Sequence, residues 1–405
     1  MTESGAKVAV ILSGGGAYGA FEVGVLKALC GGDCPTAHKP LEVDVFTGTS
    51  VGSFNATVMS MQSGFGPAAA VKHLESLWLD RVCDCPGDNR GNGVYRLRGN
   101  PIHYIDFPLS DAGRVLLETA SDARYLTQEM FRRFTSIVTG SASFPRRALG
   151  FVDLAAFVSV EPFRRLLEQG LNLRAVRESS TTLRIILTDW TTGECKTFSN
   201  EDMTDEQGRL VVLGSSAIPG IFPPVQIGTD TYVDGGVVMN TPLTAAIDSG
   251  ATELHVIYLD PDPSKVPVAK MPNTIDTFSR VYTIMLATNI KEDIKTASWI
   301  NAGLETLEKA QTQAELTSEE ERSFIRVAAR LAKSVQAGGK YKMLTIHKYN
   351  PCEDLGGLIG MLNFTETTIK TLIRKGYESG TQHDCKASGC LIPKEATHSA
   401  HQQAG

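Results

Sequence analysis

Val43-Asp44-Val45-Phe46-Thr47-Gly48-Thr49-Ser50-Val51-Gly52-Ser53-Phe54-Asn55 begins as a strand, ends as a helix, and carries G-x-S-x-G at the join. Val43–Phe46 reads as a short apolar strand and Ser53–Met61 as an uncharged helical segment. A serine between two glycines at such a junction sits on a sharp turn. Gly48 and Gly52 relieve the crowding there, and the Ser50 hydroxyl projects from the strand end. The N–H of Val51 then faces the position where negative charge would develop during attack on a carbonyl. The plainer reading of Ser50 is a helix cap.

A serine hydroxyl is a weak nucleophile at neutral pH and needs a base. No histidine stands in a loop context that marks it as a partner, and His255, inside an apolar strand, reads as a satisfied core residue. Asp234 is the better candidate. It ends the strand-like run Val225–Val233 and precedes Gly235-Gly236, which let another backbone approach closely. Asp-Gly is also a hairpin signal, so the turn reading stays beside it.

Upstream, the strand-like Lys7–Leu12 runs into Ser13-Gly14-Gly15-Gly16-Ala17-Tyr18-Gly19 and then a helical segment over Ala17–Cys30. Consecutive glycines at a helix start present backbone N–H groups to an anion. The same string satisfies G-x-G-x-x-G, which by itself admits a dinucleotide reading with Asp33 or Asp44 as the ribose acid.

Further strand-like runs at Leu183–Leu187, Leu254–Leu259 and Met343–His347 alternate with helical patterns at Ala68–Trp78 and Leu243–Ile247. That alternation predicts an α/β fold with a mostly parallel sheet covered on both faces. The 405 residues include 39 Lys+Arg against 45 Asp+Glu, a net charge of −6, with 42% apolar residues. A mildly acidic chain of ordinary composition argues against general nucleic-acid binding and wholesale disorder.

Taken together, Gly14–Gly19, Gly48–Gly52 and Asp234-Gly235-Gly236 resemble the patatin-like phospholipase family. Ser215-Ser216-Ala217-Ile218-Pro219 with Phe222-Pro223-Pro224 resembles that family's small-residue and proline segment. The resemblance implies a three-layer α/β/α fold with helical insertions and a Ser50–Asp234 dyad cleaving carboxylic esters of lipids through an acyl-enzyme. It implies an oxyanion hole from Gly14, Gly15 and Gly16 with Val51, and neither metal nor organic cofactor. Gly19, Gly48, Gly52, Gly235 and Gly236 would be its structural glycines. One position departs: the family's glycine motif usually carries Arg or Lys where this chain has Tyr18, which offers a neutral hydroxyl instead of a cation.

The expected organisation is a catalytic core over residues 7–260, with an insertion at about 83–180. A helical extension follows over 261–385, with a last strand packing on the core, and a flexible tail over 386–405. The start lacks a signal-peptide pattern and no apolar run is long enough to span a bilayer, so the expectation is a cytoplasmic protein. Arg124, Arg132, Arg133, Arg146 and Arg147, interleaved with Tyr125, Phe131, Phe134 and Phe144, make a peripheral membrane surface the expected partner besides a lipid ester. His383, Cys385 and Cys390 cluster near the end, but their spacing alone assembles no four-ligand zinc pattern. Two further readings compete with the dyad: an α/β-hydrolase esterase whose triad includes a histidine such as His347, and a non-catalytic lipid-binding protein.

Overall fold

The computed structural model describes residues 6–37, 39–84, 92–98, 112–139, 158–259, parts of 277–306, 342–351, 353, 355 and 360–393. The elements in chain order are β1 (Val8–Leu12), α1 (Gly19–Gly31), β2 (Val45–Thr49), α2 (Val51–Met61), α3 (Pro67–Leu77), β3 (Arg96–Leu97) and α4 (Ala112–Thr139). Next come β4 (Val158–Ser159), α5 (Glu161–Gly170), α6 (Leu173–Arg177), β5 (Thr182–Asp189), β6 (Cys195–Ser199) and α7 (Gly208–Ser215). The chain continues through β7 (Val225–Ile227), β8 (Asp230–Asp234), α8 (Leu243–Asp248), β9 (Glu253–Ile257), β10 (Thr345–Tyr349) and α9 (Glu366–Thr381).

Among the described residues the main sheet runs β10-β9-β1-β2-β5-β8-β7, with β6 also paired to β5. β10, β9, β1, β2 and β5 are mutually parallel, whereas β8, β7 and β6 join antiparallel. The central β1, Val-Ala-Val-Ile-Leu, has no polar residue because helices cover both of its faces. One apolar core gathers Val10 and Leu12 with α1, α2 and α9; the other gathers Ala9 and Ile11 with Leu243 and Ala246 of α8. This is the mostly parallel, helix-covered α/β architecture expected.

The second strand begins two residues later than Val43, because Asp44 turns its carboxylate to accept the Val8 N–H at 2.8 Å. It then continues to Thr49, whose hydroxyl, like that of Thr47, donates to a carbonyl of the 239–242 segment. Buried threonines are satisfied there and so tolerated in a central strand.

α9 packs along α1 at glycine contacts. A Cβ on Gly24 would collide with the Ile373 carbonyl, and one on Gly376 would collide with the Phe21 carbonyl and lie 3.1 Å from Gly24 Cα. Of the stretch expected as a flexible tail, residues 386–393 are described. Leu391 and Ile346 exchange backbone hydrogen bonds at 2.8 and 2.9 Å, covering the outer edge of β10. Much of the helical region expected over Ile275–Gln336 lies outside the described residues.

Candidate active site

β2 delivers Ser50 to the carboxyl ends of the parallel strands, where open α/β sheets place their ligand crevices. Ser50 has φ 54° and ψ −126°; among the described residues it is the one non-glycine with positive φ. Such a conformation costs roughly 1–3 kcal/mol and persists only where its surroundings enforce it. Here the Ser50 N–H donates to Ser215 Oγ at 2.9 Å, and Ser215 Oγ donates to the Ile186 carbonyl at 2.7 Å. The Ser50 carbonyl accepts from Ser53 N–H at 2.9 Å and Ser53 Oγ at 2.5 Å. The Ser50 side chain caps nothing. A Cβ on Gly52 would run into the Leu12 carbonyl and one on Gly48 into Gly52, so both motif glycines are required by close approach.

Asp234 reaches the same place from the opposite direction, at the end of antiparallel β8, with its Cα in register with Leu187 of β5. It is fully buried. Its Oδ1 accepts the Gly236 N–H at 2.7 Å. Oδ2 is buried without a well-formed hydrogen bond, and the side chain acting on this carboxylate is the Ser50 hydroxyl. Burial raises the Asp234 pKa to about 7, against the smaller lowering effects of Ser50 and Gly236. A carboxylate at that value is half-ionised near neutrality and competent as a base.

The glycine loop lies beside the serine. A Cβ on Gly14 would approach Ser50 Cβ to 2.9 Å, and one on Gly16, whose φ is +55°, would strike the Met361 carbonyl. The Gly14 N–H is already donated to the Asn240 carbonyl at 3.2 Å, and Asn240 Nδ2 returns a bond to the Gly14 carbonyl at 3.3 Å. Gly14 therefore holds the loop, leaving Gly15, Gly16 and Val51 as the candidate oxyanion donors. Asn240 had no signal in the sequence, because nothing in its flanks marks it; buried, it ties the glycine loop to the segment following Asp234. Tyr18 points elsewhere. Its hydroxyl donates to the Leu355 carbonyl at 2.7 Å, so the residue that departs from the family pattern anchors a C-terminal segment.

Ser50, Val51 and Gly16 open into a cavity of about 200 Å³. Its walls are mainly apolar, with Phe54, Phe163, Leu213, Phe222 and Met361 among them; Arg164, Ser216 and Gln226 are its other polar lining residues. Trp78, another wall, donates its indole N–H to Asn55 at 2.8 Å, and Asn55 in turn donates to Glu22 at 2.8 Å, fixing α1, α2 and the cavity together.

Other candidates are placed elsewhere. No described histidine lines the cavity. His347 stacks on His255 at 4.9 Å, and His255 is satisfied by Tyr349 and Glu253. Asp44 precedes β2 and Asp33 follows α1, so both sit at the sheet end opposite the glycine loop. Asp33 there accepts the Tyr377 hydroxyl at 2.9 Å. Neither can meet a ribose held at that loop. No described helix is long and apolar enough to cross a membrane.

Among solved structures, the chain is similar to the crystal structure of VipD from Legionella pneumophila, with a TM-score of 0.39 and 16% identity. The match covers 93% of this chain and 66% of that one, so the chain spans just under two thirds of its length. No curated protein matches. Residues 10–247 match the family described as patatin-like phospholipase, a stretch that contains the glycine loop, Ser50, Asp234 and most of the cavity wall. The chain belongs to the patatin-like phospholipase family.

Proposed function

We propose that this protein is a lipid acyl hydrolase in which Ser50 is the nucleophile and Asp234 its general base. The observation that carries the reading is the enforced backbone of Ser50 at the mouth of an apolar cavity, with the buried Asp234 carboxylate beside it. Asp234 takes the Ser50 proton as Oγ attacks the ester carbonyl carbon. The carbonyl oxygen gains the negative charge and is met by the N–H groups of Gly15, Gly16 and Val51. Collapse breaks the ester bond, and the leaving alcohol takes the proton from Asp234. Water, deprotonated by the same carboxylate, then attacks the acyl-enzyme; the departing Ser50 Oγ takes that proton back from Asp234 and the fatty acid is freed. The cavity supports an acyl chain as its occupant, since mainly apolar walls with few polar groups favour burying a hydrocarbon.

The test is labelling with a fluorophosphonate serine probe and mapping of the modified peptide. Ser50 should be the labelled residue, and Ser50→Ala should lose both labelling and ester hydrolysis while keeping the parent's melting temperature within a few degrees. Hydrolysis retained by a clean Ser50→Ala preparation would overturn the dyad. Lipid binding by folded parent protein that takes no label would favour a non-catalytic lipid-binding role.

We also propose that α4 meets a lipid surface. Leu116, Leu117 and Phe131 are exposed on it, and Arg124 stands among them. The side chains of Arg132, Arg133 and Phe134, and all of Phe144, Arg146 and Arg147, lie outside the described residues. Changing Arg124, Arg132 and Arg133 to Gln should weaken co-sedimentation with anionic liposomes and spare hydrolysis of a soluble short-chain ester. Equal loss of both would assign α4 a purely structural role.

A further inference from the structure

We propose that His347, His383, Cys385 and Cys390 form a structural zinc site at the outer edge of the sheet. Their ligand atoms all lie within 4.8 Å of one another. His347 comes from β10, whereas the other three come from the turn that follows α9. The sequence could not assemble this set, because strand and turn meet only when α9 folds back along α1.

The separations are those of ligands around one small ion. Zinc–sulfur bonds of about 2.3 Å and zinc–nitrogen bonds of about 2.0–2.1 Å at tetrahedral angles place sulfur and nitrogen about 3.5 Å apart. Cys385 Sγ lies 3.5 Å from His347 Nδ1 and 3.5 Å from His383 Nε2, and Cys390 Sγ lies 3.4 Å from His383 Nε2. Thiol hydrogen bonding does not explain the set. His383 Nε2 carries either one lone pair or one N–H, yet it faces both sulfurs, so two-centre hydrogen bonds satisfy only one of its two close contacts. The Lys348 N–H approaches Cys390 Sγ at 3.3 Å, a donor suited to a metal-bound thiolate.

The surroundings also suit a closed site. Glu253 and His255 form a second group around His347, their ligand-type atoms within 4.8 Å of one another. Glu253 bonds His255 Nε2 at 3.2 Å, and His255 in turn stacks on His347, so the His347 ring rests on a fixed neighbour. Two sulfurs and two nitrogens complete a tetrahedron and leave no position for water or substrate, as in structural rather than catalytic zinc. On binding, Zn²⁺ takes the two thiolates and the two thiol protons leave to solvent.

The site is separate from the serine. His347 is in register with His255, His255 with Val10 and Val10 with Phe46. Three strand spacings sideways and four residues along β2 separate it from Ser50, roughly 20 Å at about 4.8 Å per strand and 3.3 Å per residue. Its role is to pin the segment after α9 onto β10, beside the Leu391–Ile346 pairing.

Untagged full-length chain, purified without chelator and desalted, should carry about one zinc by elemental mass spectrometry. Exchange with Co²⁺ should give a thiolate-to-metal charge-transfer band and tetrahedral ligand-field absorption. Alkylation should reach Cys195 but not Cys385 or Cys390 until a strong chelator is added. Cys390→Ser and His347→Ala should each lose the metal, and Cys195→Ser should keep it. If the variants fail to fold, cobalt spectra and alkylation of the parent still decide. Zinc well below one per chain after incubation with zinc and desalting, no thiolate–cobalt band, or a Cys385–Cys390 disulfide in fresh protein would each overturn the assignment.

Discussion

Asp234→Asn should lower ester hydrolysis by roughly 10³–10⁴-fold while making the folded protein more stable above pH 7. The two effects share one cause. The Asp234 pKa rises from an ordinary 3.8 to about 7 because folding strips water from the carboxylate. Between those values the folded protein holds a proton that the unfolded chain has released. Stability from this group is therefore fully present below about pH 4 and is lost as pH climbs through about 7. Ionising this carboxylate inside the fold therefore costs on the order of a few kcal/mol at alkaline pH. Asparagine cannot ionise, yet its side-chain oxygen can still accept from Gly236 N–H, so the variant avoids that cost. Thermal melts at pH 8 and pH 4 check this: the variant should melt above the parent at pH 8 and with it at pH 4. In the proposed mechanism catalysis has the reverse dependence, since only the ionised carboxylate would take the Ser50 proton. The parent's kcat/KM should rise with pH and level off above about 7. A variant less stable than the parent at pH 8, or a rate flat from pH 5 to pH 8, would contradict the burial of this carboxylate as the controlling factor.

Gly24→Leu should destabilise the whole protein by about 3 kcal/mol or more. Position 24 faces α9 so closely that even one added carbon meets the Ile373 backbone, and a helix backbone cannot yield as a flexible side chain can. The helices must separate, exposing Phe21, Leu372 and Ile373, all of them buried now. Gly64→Ala is the matched control, because nothing lies within 4 Å of a Cβ there; it should stay within about 0.5 kcal/mol of the parent. Urea denaturation of both variants separates the outcomes. Equal midpoints would show that the α1–α9 contact is not needed.

The contrast between α9 and the β2–α2 junction shows what the sequence made legible. At Ser50 the information is local: an apolar strand, two glycines and an uncharged helix stand in one run, and the chemistry needs that order. Asp234 and the glycine loop were readable for the same reason, each ending a strand with glycines at fixed offsets. α9 gave no such signal. Its sequence Glu366-Thr-Thr-Ile-Lys-Thr-Leu-Ile-Arg-Lys-Gly-Tyr-Glu-Ser-Gly-Thr381 spends poor helix formers and two interior glycines, each costing up to about 1 kcal/mol in an isolated helix. Those glycines mark a helix only when the partner surface is known. Asn240 and Ser215 were opaque as positioning groups because their hydrogen bonds join segments distant in the chain. Tyr18 was legible as a departure, but not its target: the Leu355 carbonyl lies 337 positions away.

The α1–α9 contact has a consequence for how the chain is made. Tyr377 of α9 meets Asp33, just beyond α1, across 344 positions of sequence. While the ribosome is still adding the intervening residues, α1 emerges early with one side bare, and the glycines that let α9 approach give it nothing else to hold. The half that carries Ser50 thus waits, partly uncovered, for a segment delivered late. Long-range closure of that kind slows folding and lengthens the interval in which apolar surface is open to chaperones or aggregation. Expression yield should therefore depend on the late-made α9 as much as on the early region that carries Ser50.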